Sequence, residues 1–370
     1  MNMNLRRWSW VVVPVAAYLA SRLVTLAACY AVRYVRGGVG LVLVMSGWDA
    51  QWYLALAEDG YPSTVPQGEG ALAESPLGFF PLFPLLARAV SVLPGIGLAA
   101  AAVIVNTVAG LAASILVWRL ASEVYDRDVA NRAVCLFCFF VGSYAFTFAY
   151  AEGVFLACAA GCLLLLHQRR FWWAALVAGI GSASRPTGIV LAVTCAVAVF
   201  LHWRETRDWK PLPSPLLAAA GWIAFHVYLH VHTGDAFAWL RVHERARGHR
   251  TDLGASTARR IFDYATGPNG DLNLLVPVLS VLAIVPLAWM LVRARPPAPW
   301  LVFVGFSLLP GLASKGIALT PRHLLAAFPL LVGAAWALRH DNLYRLTLAT
   351  SAGVLVAVMF VSGGTLLLRP

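Results

Sequence analysis

The residues best suited to chemistry lie in one stretch, WDAQWYLALAEDGY, over positions 48–61. Helical spacing places Trp48 and Trp52 on one apolar stripe of a surface helix that Gly60 ends. Asp49 lies on the shoulder of that stripe, where a carboxylate is poorly solvated and is therefore a candidate general base. The simpler alternative is an aromatic helix among lipid headgroups whose charges are only solvated.

A second aromatic stretch, FFPLFPLLAR over positions 79–88, follows further along the chain. Its two prolines, Pro81 and Pro84, are expected to prevent a regular helix start, and its rings to line an apolar slot that a lipid chain could occupy. The alternative is a kinked entry of the chain into the membrane. The apolar stretch 79–93 is short, so it is predicted to be interfacial or re-entrant, with an additional span as the alternative.

Further charged residues lie at the ends of apolar segments. Glu152 and Arg185 are in positions where an ionisable group is either paired structurally or binds substrate, and both alternatives stay open. Arg322 and His323 follow Pro321 at the predicted start of a helix, where the helix dipole favours anions. They are therefore candidate donors to a phosphate, with interface anchors as the alternative.

The elements that must position these side chains are membrane-spanning helices. Of the 370 residues, 60% are hydrophobic and 12% are charged, against roughly 25% charged in a soluble domain, which excludes a soluble globular protein. Twenty-eight Lys and Arg against 17 Asp and Glu give a net charge of +11. In a membrane protein this excess indicates contact with anionic lipid rather than with nucleic acid.

Apolar segments of about the length needed to cross the bilayer recur along the whole chain. They predict an all-α polytopic membrane protein, a single integral membrane domain over residues 1–370, with about eleven spans near 8–30, 97–119, 133–149, 153–168, 171–183, 187–203, 214–232, 273–292, 299–314, 323–338 and 346–367. Arg and Lys near span ends stay cytoplasmic, and with the amino terminus inside, every short inner loop is basic. This topology places on the outer face Asp49, Glu152, Arg185, Arg322 and His323.

Two long loops are predicted on the same outer face. The first, about 31–96, carries interfacial helices and Asp49, and the second, about 233–272, is rich in arginine. Most of these arginines are expected to rest on anionic headgroups, although they could also bind a lipid phosphate or the headgroup of an acceptor. Asp235 and Trp239 are candidates for lining the outer cavity. The acids of the first loop lie too far apart on one helix to chelate together, so no essential metal and no cofactor is predicted.

These motifs resemble the PIG-V family of mannosyltransferases and its bacterial relatives, which are GT-C-type enzymes. The likeness rests on WDAQWYLALAEDGY and FFPLFPLLAR and extends, in family order, to Tyr150-Ala151-Glu152, to Ser184-Arg185-Pro186-Thr187-Gly188, and to Pro321-Arg322-His323 before Phe328-Pro329. It covers nearly the whole chain. Two positions depart from the family pattern, because Thr187 stands where a polar amide is expected and His323 where an aromatic residue is commoner.

The resemblance implies a GT-C-like fold and a glycosyltransferase of the bacterial plasma membrane, with its active site on the extracytoplasmic face. Such an enzyme moves a sugar, mannose in the best-known members, from a polyprenyl-phosphate carrier to a hydroxyl of a lipid-linked or other acceptor, with inversion. Asp49 matches the acid that these enzymes place in their first outer loop, and it is the predicted catalytic base. The residues predicted to contact substrate are Trp48, Trp52, Tyr53, Glu58, Asp59, Tyr150, Glu152, Arg185, Arg322 and His323.

Two other classes of protein stay open at this point. A transporter or flippase of lipid-linked glycans would also use outer arginines and a proline-broken apolar slot. Such proteins usually show paired halves with discontinuous helices, and the sequence shows no such repeat. A noncatalytic membrane scaffold would leave the position of Asp49 unexplained.

Overall fold

The structure is a computed structural model, and it describes residues 3–246, 252–266, 272–315 and 319–365. Within these ranges the chain forms helices and no β-strand. The α-helices are, in chain order, α1 (Met3–Val35), α2 (Leu41–Met45), α3 (Ala50–Asp59), α4 (Glu69–Ala73), α5 (Leu82–Ser91), α6 (Leu98–Val124), α7 (Arg127–Phe139), α8 (Glu152–His167), α9 (Phe171–Ser182), α10 (Ile189–Thr206), α11 (Ser214–Ala218), α12 (Ala220–Thr233), α13 (Ala238–Arg241), α14 (Ala255–Thr266), α15 (Leu272–Arg293), α16 (Ala298–Ala313), α17 (Pro321–Ala326), α18 (Pro329–Ala337) and α19 (Asp341–Thr365). The 3-10 helices are Pro76–Gly78, Val141–Phe146 and Pro186–Gly188, and a π-helical turn covers Val242–Ala246.

Each predicted apolar segment contains helix, although the seventh is divided between α11 and α12 and the tenth between α17 and α18. In the described part of the chain, five helices are long and apolar enough to cross a membrane: Trp10–Val35, Leu98–Val124, Pro186–Thr206, Leu275–Arg293 and Asp341–Phe360. About 20 apolar residues are needed to cross the hydrocarbon core as a helix. The chain is therefore an all-α polytopic membrane protein, while the number of about eleven spans stays a prediction.

The first predicted loop is helical, with α2 to α5 inside it. Gly60 ends α3 with a φ of 79°, a conformation that glycine adopts without strain. The expectation that the prolines prevent a regular helix start is wrong, because Pro81 is the N-cap of α5 and Pro84 lies in its first turn. Proline is tolerated there, since the first N–H groups of a helix have no partner within it. At 1.5 Å per residue α5 is about 15 Å long, too short to cross the membrane alone.

The third predicted span, 133–149, is not one helix. Helix α7 ends at Phe139, Phe140 is extended, and the chain continues as the 3-10 helix Val141–Phe146 before α8 begins. We call residues 140–151 the irregular segment; most of it is buried. Irregular backbone at membrane depth is tolerated only where its polar groups find partners in the protein.

Arg22 of α1 supplies partners for one part of the irregular segment. Its Nη1 donates to the Ser143 carbonyl at 2.9 Å and to the Thr147 hydroxyl at 2.6 Å. The side chain is buried, and its guanidinium lies 5.2 Å from the centroid of the Tyr18 ring. This cation is therefore held by hydrogen bonds and aromatic faces, and it fastens α1 to the irregular segment.

Asn106 of α6 supplies partners for the other part. Its Nδ2 donates to the carbonyls of Ala145 at 2.6 Å and Phe148 at 2.7 Å, and its Oδ1 accepts the Gly153 N–H at 2.8 Å. Asn106 is fully buried, so each of these groups would be costly to leave without a partner. One amide side chain thus fixes the turn that leads into α8.

Candidate active site

Four of the residues predicted from the sequence form one charge cluster: Asp49, Glu152, Arg185 and Arg322. Arg322 Nη1 donates to Asp49 Oδ2 at 2.6 Å and lies 3.8 Å from Glu152 Oε1. Arg185 Nη1 lies 3.3 Å from the same Glu152 oxygen. The Glu152 side chain is 5% exposed and that of Asp49 is 32% exposed. The carboxylate of Asp49 is therefore the acid of the cluster that solvent or a substrate reaches most easily.

Local backbone geometry directs Asp49 into this cluster. Trp48 has a φ of 62°, which a bulky residue adopts at a cost of about 1–2 kcal/mol, and Asp49 then takes helical angles just before α3. Although Asp49 is the N-cap residue of α3, its side chain makes no capping hydrogen bond to that helix. The carboxylate is turned instead towards Arg322.

The irregular segment also sets the position of Arg322. At Gly142 there is no room for a side chain, since an added Cβ would lie against the Pro321 carbonyl and 2.9 Å from the Arg322 nitrogen. Helix α17, which carries Arg322, is therefore in direct backbone contact with the irregular segment. Glu152 begins α8 immediately after that segment. The irregular segment thus positions both the carboxylate of Glu152 and the guanidinium of Arg322.

Aromatic rings form the walls around these charges. The guanidinium of Arg322 lies 5.4 Å from the Tyr150 ring centroid, and that of Arg185 lies 5.6 Å from the Phe155 ring centroid. Such cation–π contacts stabilise a partly desolvated cation. In the described part of the chain, the buried Tyr150 hydroxyl and Arg322 Nε have no hydrogen-bond partner. These two unpartnered donors lie beside the positive charges of Arg322 and Arg185, and such an arrangement is suited to an anionic ligand.

Trp52 and Tyr53 fasten α3 to the second aromatic stretch. Tyr53 packs edge-to-face against Phe79 at 4.8 Å and Phe83 at 5.0 Å between ring centroids, and Trp52 stacks on Phe79 at 6.4 Å. Burial raises the pKa of the Tyr53 hydroxyl above its usual range, and the negative charge of Glu152 acts in the same direction. The hydroxyl of Tyr53 is therefore protonated at neutral pH and can act as a donor.

The other predicted contact residues lie apart from these charges or face elsewhere. Glu58 and Asp59 are exposed at the far end of α3, whereas Trp48 is half-buried beside Asp49. His323 Nδ1 accepts the Thr320 backbone N–H at 3.2 Å in a capping box at the start of α17. That nitrogen therefore takes part in capping its own helix. The role of His323 as a donor to phosphate stays a prediction.

The start of the second loop packs on a separate aromatic cluster. Trp239 Nε1 donates to His226 Nε2 at 2.7 Å, and its ring meets Phe80 edge-to-face at 5.9 Å. Asp235 is paired with Arg241 at 2.7 Å. Trp239 therefore joins the second loop to the aromatic stretch at 79–88, and the lining of the outer cavity by Asp235 and Trp239 stays a prediction. Residues 247–251 and 267–271 of this loop lie outside the described ranges.

The sequence analysis did not identify Arg22 and Asn106 as residues that support the site. Both form hydrogen bonds to the irregular segment, which in turn contacts α17 and leads into Glu152. A usable signal was present, because each is a strongly polar side chain inside an apolar helix, where such residues are functional candidates by default. As to metals, the described residues contain no group of three or more His, Cys, Asp or Glu side chains that could hold an ion. The independence of the protein from metals stays a prediction.

The fold is GT-C-like. The solved structures that are similar to this chain include the following two. Against ArnT from Cupriavidus metallidurans bound to undecaprenyl phosphate, the TM-score is 0.57 at 15% identity, covering 96% of this chain and 65% of that one. Against the apo oligosaccharyltransferase from Archaeoglobus fulgidus, the TM-score is 0.52 at 14% identity, covering 98% of this chain and 56% of that one.

This chain thus spans less than two thirds of the length of the structures it matches. At these identities the likeness establishes the fold and leaves the reaction open. No family model and no curated protein matches the sequence. The resemblance to the PIG-V family therefore stays a prediction.

Proposed function

We propose that this chain is a glycosyltransferase that moves a sugar from a polyprenyl-phosphate carrier to an acceptor hydroxyl on the extracytoplasmic face of a bacterial plasma membrane. The observation that carries the proposal is the charge cluster, in which a partly exposed carboxylate is hydrogen-bonded to a half-buried arginine that has a buried, unpartnered donor. The GT-C fold supports it, and so does the undecaprenyl phosphate named in the similar ArnT structure. Mannose is the sugar that the family resemblance favours.

In the proposed reaction Asp49 acts as the general base. Its carboxylate accepts the proton of the acceptor hydroxyl while that oxygen forms a bond to the anomeric carbon of the sugar. The bond from that carbon to the phosphate oxygen breaks on the opposite face, which inverts the anomeric centre. One well-placed carboxylate contributes about 10²–10⁴-fold to such a step.

The two arginines bind the donor phosphate in this proposal. A polyprenyl-phosphate sugar carries one negative charge, and its phosphate gains a second as it leaves, so cations beside it stabilise the departing group. Arg322 and Arg185 supply that charge, and the Tyr150 hydroxyl supplies a neutral donor next to it. Glu152 is a positioning residue, since its buried carboxylate lies close to both guanidinium groups.

The ion pair between Asp49 and Arg322 has to open before the base can act. A carboxylate that is hydrogen-bonded to arginine is a weaker base than a free one, because the cation stabilises its charged form. A donor phosphate that takes the guanidinium of Arg322 releases the carboxylate beside the reacting carbon. The proposal therefore includes an order of events in which the lipid-linked donor binds before the acceptor is deprotonated.

The test uses the purified full chain in lipid nanodiscs with radiolabelled undecaprenyl-phosphate mannose and a bacterial lipid extract as the source of acceptor. We expect Asp49→Asn to lower label transfer by about 10²–10⁴-fold. The matched control is Asp341→Asn, because Asp341 is likewise an acid paired with an arginine, Arg132 at 2.7 Å, but is not a member of the cluster. We expect this control to transfer label at the unmodified rate.

Three outcomes would overturn parts of the proposal. Full activity of a folded Asp49→Asn protein would exclude Asp49 as the base. Movement of the labelled lipid across a vesicle membrane without bond formation would favour a transporter or flippase. Transfer from undecaprenyl-phosphate glucose but not from the mannose donor would retain the enzyme class and exclude mannose as the sugar.

A further inference from the structure

A cavity of about 610 Å³ lies between the ends of α15 and α18. Its walls are formed by Trp289, Val292, Arg293, Ala294, Arg295 and Trp336. Helices α17 and α18 lie between Arg322 and Trp336 along the chain, and none of the residues that line the cavity belongs to the charge cluster. The cavity is therefore a site separate from the candidate active site.

The depth of this cavity follows from α15. The segment Leu275–Arg293 is long and apolar enough to cross a membrane, and Arg293 is its last residue. The end of such a segment lies where hydrocarbon meets the lipid headgroups, and tryptophan is enriched at that depth. Trp289 lies one turn before the end of α15 and is 56% exposed. We therefore expect the cavity to open near the level of the lipid headgroups.

The charge of the cavity is positive. The guanidinium of Arg293 lies 4.8 Å from the Trp289 ring centroid, and that of Arg339 lies 4.8 Å from the Trp336 ring centroid at the rim. Arg295 adds a third cation, and the six described lining residues include no acid. Asp341, the acid next to this rim in the sequence, is paired with Arg132.

We propose that this cavity binds the headgroup of an anionic phospholipid. Arginine binds phosphate oxygens in a bidentate manner, and basic pockets between membrane helices are suited to anionic headgroups. The apolar parts of Trp289, Val292 and Trp336 offer a surface to the glycerol and the first methylene groups, which a free phosphate ion would not use. The cavity volume is within the range of small-ligand sites.

The test measures lipid retention by native mass spectrometry of the purified full chain, with phosphatidylglycerol and phosphatidylcholine of identical acyl chains as probes. We expect Arg293→Gln to weaken phosphatidylglycerol binding about fivefold and the pair Arg293→Gln and Arg295→Gln to weaken it about 25-fold, at about 1 kcal/mol per cation. Phosphatidylcholine binding should change less than twofold.

The matched control is Arg207→Gln. Arg207 also ends an apolar helix with its guanidinium over a tryptophan, 5.3 Å from the Trp203 ring centroid, but it does not line the cavity. An equal loss of phosphatidylglycerol in this control would overturn the proposal in favour of a general interfacial attraction. Retention of inorganic phosphate without the phospholipid would also overturn it. Neither result depends on glycosyl transfer, so the proposed enzyme activity is tested independently.

Discussion

The two ends of the helix bundle use arginine in different ways. At the end that carries the charge cluster, the side chains of Arg185 and Arg322 are 12% and 17% exposed and face buried or half-buried acids. At the other end, Arg132 is 24% exposed and pairs with Asp341, whose side chain is 67% exposed. Exposed pairs contribute at most about 1 kcal/mol, whereas buried pairs lose hydration that their attraction barely offsets. The ion pairs of the largely buried cluster are therefore weak evidence for a role in stability.

The hydrogen bonds that hold the backbone in place also differ between the two ends of the bundle. The cluster is held by the irregular segment, which depends on long-range hydrogen bonds from Arg22 and Asn106. The other end has local caps, such as the start of α7, where Asp126 accepts the Val129 N–H at 2.8 Å, and its long-range hydrogen bonds from Arg132 to the Leu338 and Arg339 carbonyls are half-buried or exposed. Local capping can be replaced by water at a surface, but buried contacts cannot. Substitutions should therefore have unequal effects at the two ends.

The largest effect on stability is expected for Asn106→Ala. The change leaves the Ala145 carbonyl and the Gly153 N–H buried without the partner that Asn106 supplies, at a cost of about 2–4 kcal/mol, whereas the Phe148 carbonyl keeps the Tyr150 N–H at 2.8 Å. Hydrogen exchange should increase in the irregular segment before it increases in α7. The control is Ser114→Ala, since the Ser114 hydroxyl donates to the Gly110 carbonyl of its own helix. Equal destabilisation by both variants in detergent denaturation would contradict the supporting role of Asn106.

The next effect concerns donor binding. Arg322→Gln should raise the KM for the polyprenyl-phosphate donor about 10–100-fold, because a hydrogen bond to a charged group is worth about 1.5–3 kcal/mol. Arg132→Gln removes the arginine of the matched exposed pair and should leave the KM within a factor of two. The distinction between the two ends would fail if both variants raised the KM equally.

A smaller effect is expected for Gly142→Ala. The added Cβ meets the backbone of Pro321 and Arg322, so α17 must shift and carry the guanidinium of Arg322 with it. A displacement on the order of 1 Å should lower donor kcat/KM at least about tenfold. Gly305→Ala in α16 is the control, because nothing lies within 4 Å of a Cβ added there. A normal donor kcat/KM in folded Gly142→Ala would show that α17 tolerates the shift.

The smallest effect is expected for Asp341→Asn. Loss of the exposed pair with Arg132 should change the free energy of unfolding by less than about 1 kcal/mol, and added salt should reduce the difference further. Unfolding in detergent at low and at high salt measures the change in the free energy of unfolding and its dependence on salt. A loss above about 2 kcal/mol would mean that the two ends are supported in the same way.

Much of the architecture could be predicted from local sequence. The apolar segments mark α1, α6, α8, α9, α10, α15, α16 and α19, and Gly60 marks the end of α3. These features depend on hydropathy, length and single-residue conformational preferences, which act within a few turns of helix. The same reasoning failed at Pro84, where proline in the first turn of α5 is compatible with helix.

The sequence by itself determined which segments are apolar and which charged residues stand at their ends, because the transfer of a side chain into a membrane depends on its own chemistry. Only the tertiary structure decided that Asp49 meets Arg322 and that α7 stops short of the predicted span end. Those outcomes depend on contacts between residues far apart in the chain, such as the three hydrogen bonds of Asn106, which no local pattern encodes. Packing therefore brought together, in the candidate site, charged residues that the sequence alone placed at the ends of separate apolar segments.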